Sequence, residues 1–150
     1  MVPPKYARQR IRALVIGGQH PYARSMEPLR QIIQRGLAEG SDAFVAAMEE
    51  MFGPETGERK ERLRAADLEA YLALARDRPG LEDILPSMHL PCCLYVGETD
   101  PIYPEVKACS QCIPQVTYFS LPGLSHCEAY VRSELVLPRV MKFLKSLKHS

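Results

Sequence analysis

No stretch of this chain approaches the run of about 20 apolar residues that a membrane-crossing helix needs, so a membrane-spanning protein is not expected. Charge of one sign is also missing. Nineteen Lys and Arg against eighteen Asp and Glu leave a formal net charge of +1, which gives no reason to expect nucleic acid or an anionic membrane as a partner. Met1-Val2-Pro3-Pro4-Lys5 has none of the apolar core of a secretion signal, and no other targeting address is readable. The five cysteines are an odd number in a chain without such a signal, so reduced thiols and a cytoplasmic location are the expectation. Internal repeats and low-complexity tracts are absent as well. What remains is ordinary globular composition, 46% hydrophobic and 25% charged over 150 residues, which reads as one domain able to bury a core.

Arg10-Ile11-Arg12-Ala13-Leu14-Val15-Ile16-Gly17-Gly18 is a short β-branched run closed by glycines. It predicts a strand covered on both faces, as strands of parallel sheets are. Residues 27 to 78 read as helical. Leu29, Ile32, Ile33 and Leu37 recur at helical spacing up to Gly40, and Ser41 or Asp42 is placed to cap a second helix carrying Phe44, Val45, Met48 and Phe52. Gly53-Pro54-Glu55-Thr56-Gly57 breaks that helix, and a third is predicted from about Arg62 to Ala75 with Leu63, Leu68, Tyr71 and Leu72 inward. Leu90 to Val96 is the second predicted strand, with Pro91 at its tolerant start. Tyr103 to Cys112 is a short helix with Pro104 in its first turn, and Val116 to Leu121 is a third strand. Leu135, Val140, Phe143, Leu144 and Leu147 mark the stripe of one closing helix of about 15 residues. Strands alternating with helices predict an α/β fold: a three-stranded parallel sheet with flanking helices, interrupted by an oversized helical insertion over residues 27–89.

Asp100 follows the second strand and His126 follows the third, so both leave the sheet at its carboxyl end, where open α/β sheets hold their ligands. Loops from neighbouring parallel strands can bring a carboxylate onto an imidazole nitrogen, fix its tautomer and stabilise the imidazolium formed in proton transfer. Each residue also has a plainer reading. Asp100-Pro101 is a common turn start, and a lone loop histidine is ordinary surface. His20, just past Gly17-Gly18, leaves the first strand at the same end and reads as a loop residue.

Four segments in order resemble the C-terminal half of an α/β-hydrolase fold protein: the sixth, seventh and eighth strands plus a helical cap. Lys5 to Gly18 resembles the approach to the sixth strand and the strand itself, and Asp83-Ile84-Leu85-Pro86-Ser87-Met88-His89-Leu90-Pro91 is similar to the approach to the seventh. Gly97-Glu98-Thr99-Asp100 resembles the acid-bearing turn, and Leu121-Pro122-Gly123-Leu124-Ser125-His126 the histidine loop. The resemblance implies Asp100 as the orienting acid and His126 as the general base of ester, amide or similar hydrolysis of a small-molecule substrate under the cap, with no cofactor or metal. It also implies a departure. The family's nucleophile sits on a G-x-S-x-G turn upstream of its sixth strand, and no such turn occurs in this sequence. Gly123-Leu124-Ser125-His126-Cys127 comes nearest, but it lacks the second glycine, and Ser125 lies on the wrong loop for attack. Without nucleophile or oxyanion donors, a truncated or split hydrolase that is inert by itself is expected. The competing expectation is a non-catalytic binding or assembly module on the same fold.

The cysteines offer no stronger chemistry. Cys109-Ser110-Gln111-Cys112 is a C-x-x-C at the end of a helix, where the dipole opposes a thiolate, and a second ligand pair for zinc is lacking. Cys92 and Cys93 read as core thiols. The strand Ile11 to Ile16, left without a neighbour on one side, predicts association: a homodimer, or a complementing N-terminal half docked on that edge.

Overall fold

Three strands form where apolar residues run unbroken: β1 (Leu14–Gly17), β2 (Cys92–Gly97) and β3 (Val116–Leu121). The structure is a computed structural model that describes residues 11–147; the segment Lys5 to Arg10, including the start of the predicted first strand, lies outside them. All pairings are parallel in the order β1-β2-β3, with Leu14 opposite Cys92 and Cys92 opposite Val116. The central strand is the driest element: Cys92, Cys93, Leu94 and Val96 are all buried, as a strand with sheet on both sides and helices on both faces must be.

The sequence elements between the strands form α1 (Glu27–Glu39), α2 (Ser41–Phe52), α3 (Gly57–Arg64), α4 (Leu68–Leu74) and a 3-10 helix (Glu82–Ser87) before β2. α5 (Tyr103–Cys112) joins β2 to β3, and α6 (His126–Val131) and α7 (Ser133–Ser146) close the chain. α5 and the 3-10 helix cover one sheet face, where Leu85, Cys109 and Ile113 pack on Cys92, Leu94, Leu14 and Ile16. α7 covers the other, setting Val136, Val140 and Phe143 on Cys93, Leu121, Ala13 and Tyr95. The insertion has its own core of Ile33, Phe44, Val45, Met48, Leu63 and Ala75. It is therefore a cap with an interior of its own, not a loose crossover.

Several sequence expectations are corrected here. β1 is not covered on both faces: Val15 is 43% exposed, because among the described residues β1 pairs only with β2. Ser41 is the first residue of α2 and neither it nor Asp42 caps the helix; Gly40 occupies the cap position and makes no side-chain bond. The predicted third cap helix is two, α3 and α4, because the Asp67 side chain accepts the Ala70 N–H and starts a new helix after the break at Ala65 and Ala66. The closing helix is likewise preceded by a separate one, and its inward stripe is Val136-Val140-Phe143-Leu147, leaving Leu135 and Leu144 exposed.

Candidate functional site

The turn after β2 begins with the chain doubling back on itself. Asp100 N–H donates to Gly97 O at 3.2 Å, and Tyr103 N–H donates to Asp100 O at 2.9 Å at the start of α5. The histidine loop is sewn directly onto this turn. Glu98 N–H donates to Leu121 O at 3.1 Å, and Thr99 N–H donates to Leu124 O at 3.0 Å. Gly97 permits that contact: a Cβ there would lie 2.2 Å from the Leu124 carbonyl oxygen, closer than any side chain tolerates. On the other side of the loop, Ser125 opens α6 with a capping box. Its hydroxyl accepts Glu128 N–H, and the Glu128 carboxylate accepts Ser125 N–H at 2.8 Å. His126 is thus the first residue of a helix whose start is held from both ends.

These constraints bring Asp100 and His126 together. His126 Nδ1 lies 2.7 Å from Asp100 Oδ2, with the carboxylate 1% exposed and the imidazole 27% exposed. A carboxylate at this distance accepts, so Nδ1 carries the proton, and in the neutral ring the lone pair is then on Nε2, on the far side. The other oxygen, Oδ1, accepts Ile102 N–H at 3.0 Å. One Asp100 oxygen thus holds the turn and the other contacts the histidine. Gly18, with φ +55°, passes beside the pair, where a Cβ would stand 3.1 Å from His126 Cε1 and 3.4 Å from Asp100 Oδ2. Next to the ring is a hollow of about 30 Å³ lined by Gly17, Gly18, Tyr95, Ala129 and Tyr130. It has room for a water molecule and none for a substrate.

The cap supplies contacts that no local sequence signal announced. The Phe52 ring stands 5.3 Å from the His126 ring, and Gly53 lies so close to Ser125 that a Cβ would be 2.6 Å from its Oγ. Glu55, read from the sequence only as part of a helix break, has a fully buried side chain. It is ion-paired with Arg59 at 2.5 Å and accepts the Cys127 thiol at 3.1 Å. Except for the Glu55–Arg59 pair, these contacts join residues more than 70 positions apart, beyond the reach of any sequence window.

The remaining candidates fall outside the Asp100–His126 contact. Ser125 is a cap, and its hydroxyl is engaged with the α6 backbone. His20 lies beyond β1 with its Nδ1 enclosed and unpartnered and its ring 5.5 Å from that of Tyr22. Burial holds its pKa below the ordinary imidazole value, against an opposing pull from Glu105. Cys127 donates its thiol to Glu55, and burial, with the acceptor Glu55 beside it, pushes its pKa up to about 12. Burial does the same for Cys92, to about 12, and for Cys109, to about 11. Cys112 alone among the five is exposed, and none is paired. Iodoacetamide at mildly alkaline pH is accordingly expected to add one label to the native chain, at Cys112, and four more only after denaturation. Rapid labelling of Cys127 in the native protein, read by peptide mass spectrometry, would show the thiolate that this environment disfavours. Among the described residues no cluster of His, Cys, Asp and Glu could hold a metal ion, and no helix is long and apolar enough to cross a membrane.

No family model and no curated protein sequence matches the chain. Solved structures do. A thermophilic esterase from Thermogutta terrifontis superposes with a TM-score of 0.73 at 22% identity, covering 96% of this chain and 59% of its own. The enol-lactonase from Burkholderia xenovorans gives 0.72 at 21%, covering 92% and 58%. An α/β-hydrolase enzyme from a Medee basin deep-sea metagenome library gives 0.76 at 14%, covering 92% and 57%. The fold is therefore a partial α/β-hydrolase fold, and the chain spans about three fifths of the length of the structures it resembles.

Proposed function

We propose that this chain is the acid–base portion of an α/β-hydrolase, truncated or split relative to the complete fold. The supporting observation is the 2.7 Å contact between Asp100 and His126 at the carboxyl ends of adjacent parallel strands. In this reading, Asp100 holds His126 with Nε2 unprotonated. Nε2 takes the proton from a hydroxyl nucleophile as that oxygen attacks the substrate carbonyl, and then returns it to the leaving group. Nucleophile and oxyanion donors come from a complementing N-terminal half docked on the open β1 edge. The substrate is a small ester, amide or related molecule beneath the cap; the names esterase and enol-lactonase among the similar structures favour an ester. The reaction as written uses no metal or cofactor, and five unpaired cysteines fit a cytoplasmic setting.

The isolated chain is expected to leave a p-nitrophenyl ester at its buffer rate, and His126→Ala is expected to change nothing. Joining the chain to the nucleophile-bearing part of the Thermogutta esterase is expected to produce hydrolysis that His126→Ala abolishes. Two outcomes would sink the reading: a folded chimera without activity, or activity indifferent to His126.

A further inference from the structure

The Glu55 side chain has no exposed surface, and it belongs to the cap rather than to the acid–base pair. Burying a carboxylate is unfavourable unless a countercharge and directed bonds replace the water it loses. Both are supplied here. Arg59 Nε stands 2.5 Å from Glu55 Oε2, a contact of charge without hydrogen-bond alignment, and the Cys127 thiol donates to Oε1 at 3.1 Å. The Arg59 guanidinium in turn lies over the Tyr130 ring, 5.2 Å from its centroid. The cap thereby grips α6 at Cys127 and at Tyr130, about one helical turn apart.

The loop that carries Glu55 is itself fixed. Glu49, near the end of α2, accepts Glu55 N–H at 3.2 Å and the Lys60 ammonium at 2.9 Å, which ties α2 to α3 across the loop. Phe52, the last residue of α2, packs on the cap core and sets its ring 5.3 Å from that of His126. The two segments therefore meet in a defined register: Phe52 on His126, Gly53 on Ser125, Glu55 on Cys127 and Arg59 on Tyr130.

We infer that Glu55, together with Arg59, is a positioning residue for His126: the buried pair fixes the register of the cap loop on α6 and so holds Phe52 against the imidazole. Asp100 alone leaves the ring underdetermined. A single contact at Nδ1 lets the imidazole pivot about that point, and Nε2, on the far side, moves most. Phe52 limits the pivot from the cap side, but an apolar contact has no direction of its own and would let the cap slide along α6. The Glu55 carboxylate resists sliding, because any other register leaves it buried without its countercharge and its thiol donor. The inference rests on the reading of His126 as general base, and it gives the cap a part in aiming that base.

Position can be separated from stability by experiment. Glu55→Leu with Arg59→Met replaces the pair by apolar side chains of similar volume, a change expected to leave Tm unchanged or raised. In the full chain by itself, the parent is expected to show nuclear Overhauser contacts between the Phe52 and His126 rings. The double variant is expected to lose them and to show more than one set of His126 ring resonances. Glu55→Gln, which keeps the volume and the acceptor but not the charge, is expected to weaken the same contacts, and it decides the matter if the double variant does not fold. In the chimera with the Thermogutta esterase part, the double variant is expected to lower kcat by about 10–100-fold with KM nearly unchanged, the scale of a misplaced reacting group. A folded variant that keeps the ring contacts and a single His126 resonance set overturns the inference, as does an unaltered kcat in an active chimera. A parent chimera without activity overturns the hydrolytic reading instead, and the ring contacts in the chain by itself still decide whether Glu55 positions His126.

Discussion

Asp100→Asn, placed in the chimera that supplies a nucleophile, is expected to lower kcat by about 10³–10⁴-fold while leaving KM nearly unchanged, the scale seen when the orienting acid of a serine hydrolase is replaced by its amide. The reason lies in the geometry of one contact. Oδ2 is 2.7 Å from His126 Nδ1, and Oδ1 is committed to Ile102 N–H. Asparagine can keep the turn by presenting its carbonyl oxygen to Ile102, but its NH₂ group then faces Nδ1. The imidazole must answer with a lone pair at Nδ1 and a proton at Nε2, which removes the base from the side where a nucleophile would approach. A structural role alone predicts a different pattern, with unfolding and loss of binding together. The measurement is therefore kcat and KM with a p-nitrophenyl ester, beside the downfield Nδ1 proton resonance of His126 in the uncomplemented chain, which is expected to disappear in the variant. A chimera that retains more than about a tenth of its kcat would remove Asp100 from the mechanism.

Gly97→Ala is expected to be the most damaging single methyl group in the site. The added Cβ would meet the Leu124 carbonyl oxygen at 2.2 Å and the Ser125 carbonyl oxygen at 2.8 Å. Both are backbone atoms, so no side chain can swing aside. Overpacking of this kind costs about 3 kcal/mol at the upper end of the usual range, which for a chain of this size lowers Tm by about 6–12 °C. The same displacement pushes the histidine loop off the acid turn, breaking the bonds from Glu98 and Thr99 to Leu121 and Leu124. Loss of the His126 Nδ1 resonance is therefore expected at temperatures where the variant is still folded. A Tm within about 1 °C of the parent would mean that the two loops are not held together as tightly as these distances require.

The sequence was most legible where chemistry is local. β3 and α5 fall where alternation, Pro104 and the apolar pattern put them, because strand and helix periods are written in adjacent residues. Asp100 and His126 could be singled out for the same reason, each standing one turn beyond an apolar strand. Legibility fell off where competing local forces were close to balanced. The split between α3 and α4 rests on one side-chain bond from Asp67, and Ser41 was passed over as a cap because Gly40 could take the position with a φ of 100° that serine would resist. β1 misled for a different reason: Leu14-Val15-Ile16 is as apolar as a strand buried on both faces, yet only its neighbours determine whether it has them.

What the sequence by itself determined is thus the class of fold, the strand on which each candidate residue rides, and the end of the sheet at which both emerge, since all three follow from periodicity and from the direction of the chain. Only the tertiary structure decided that Asp100 meets His126 at Nδ1, that the cap loop at Phe52 to Glu55 packs against the histidine and its neighbours, and that Val15, Leu137 and Met141 stand exposed. Those outcomes depend on which residues distant in sequence come within a few ångströms of one another, and on Gly97 and Gly18 leaving the space for it. Such approaches are set by close packing of the whole molecule, and no window of neighbouring residues contains them.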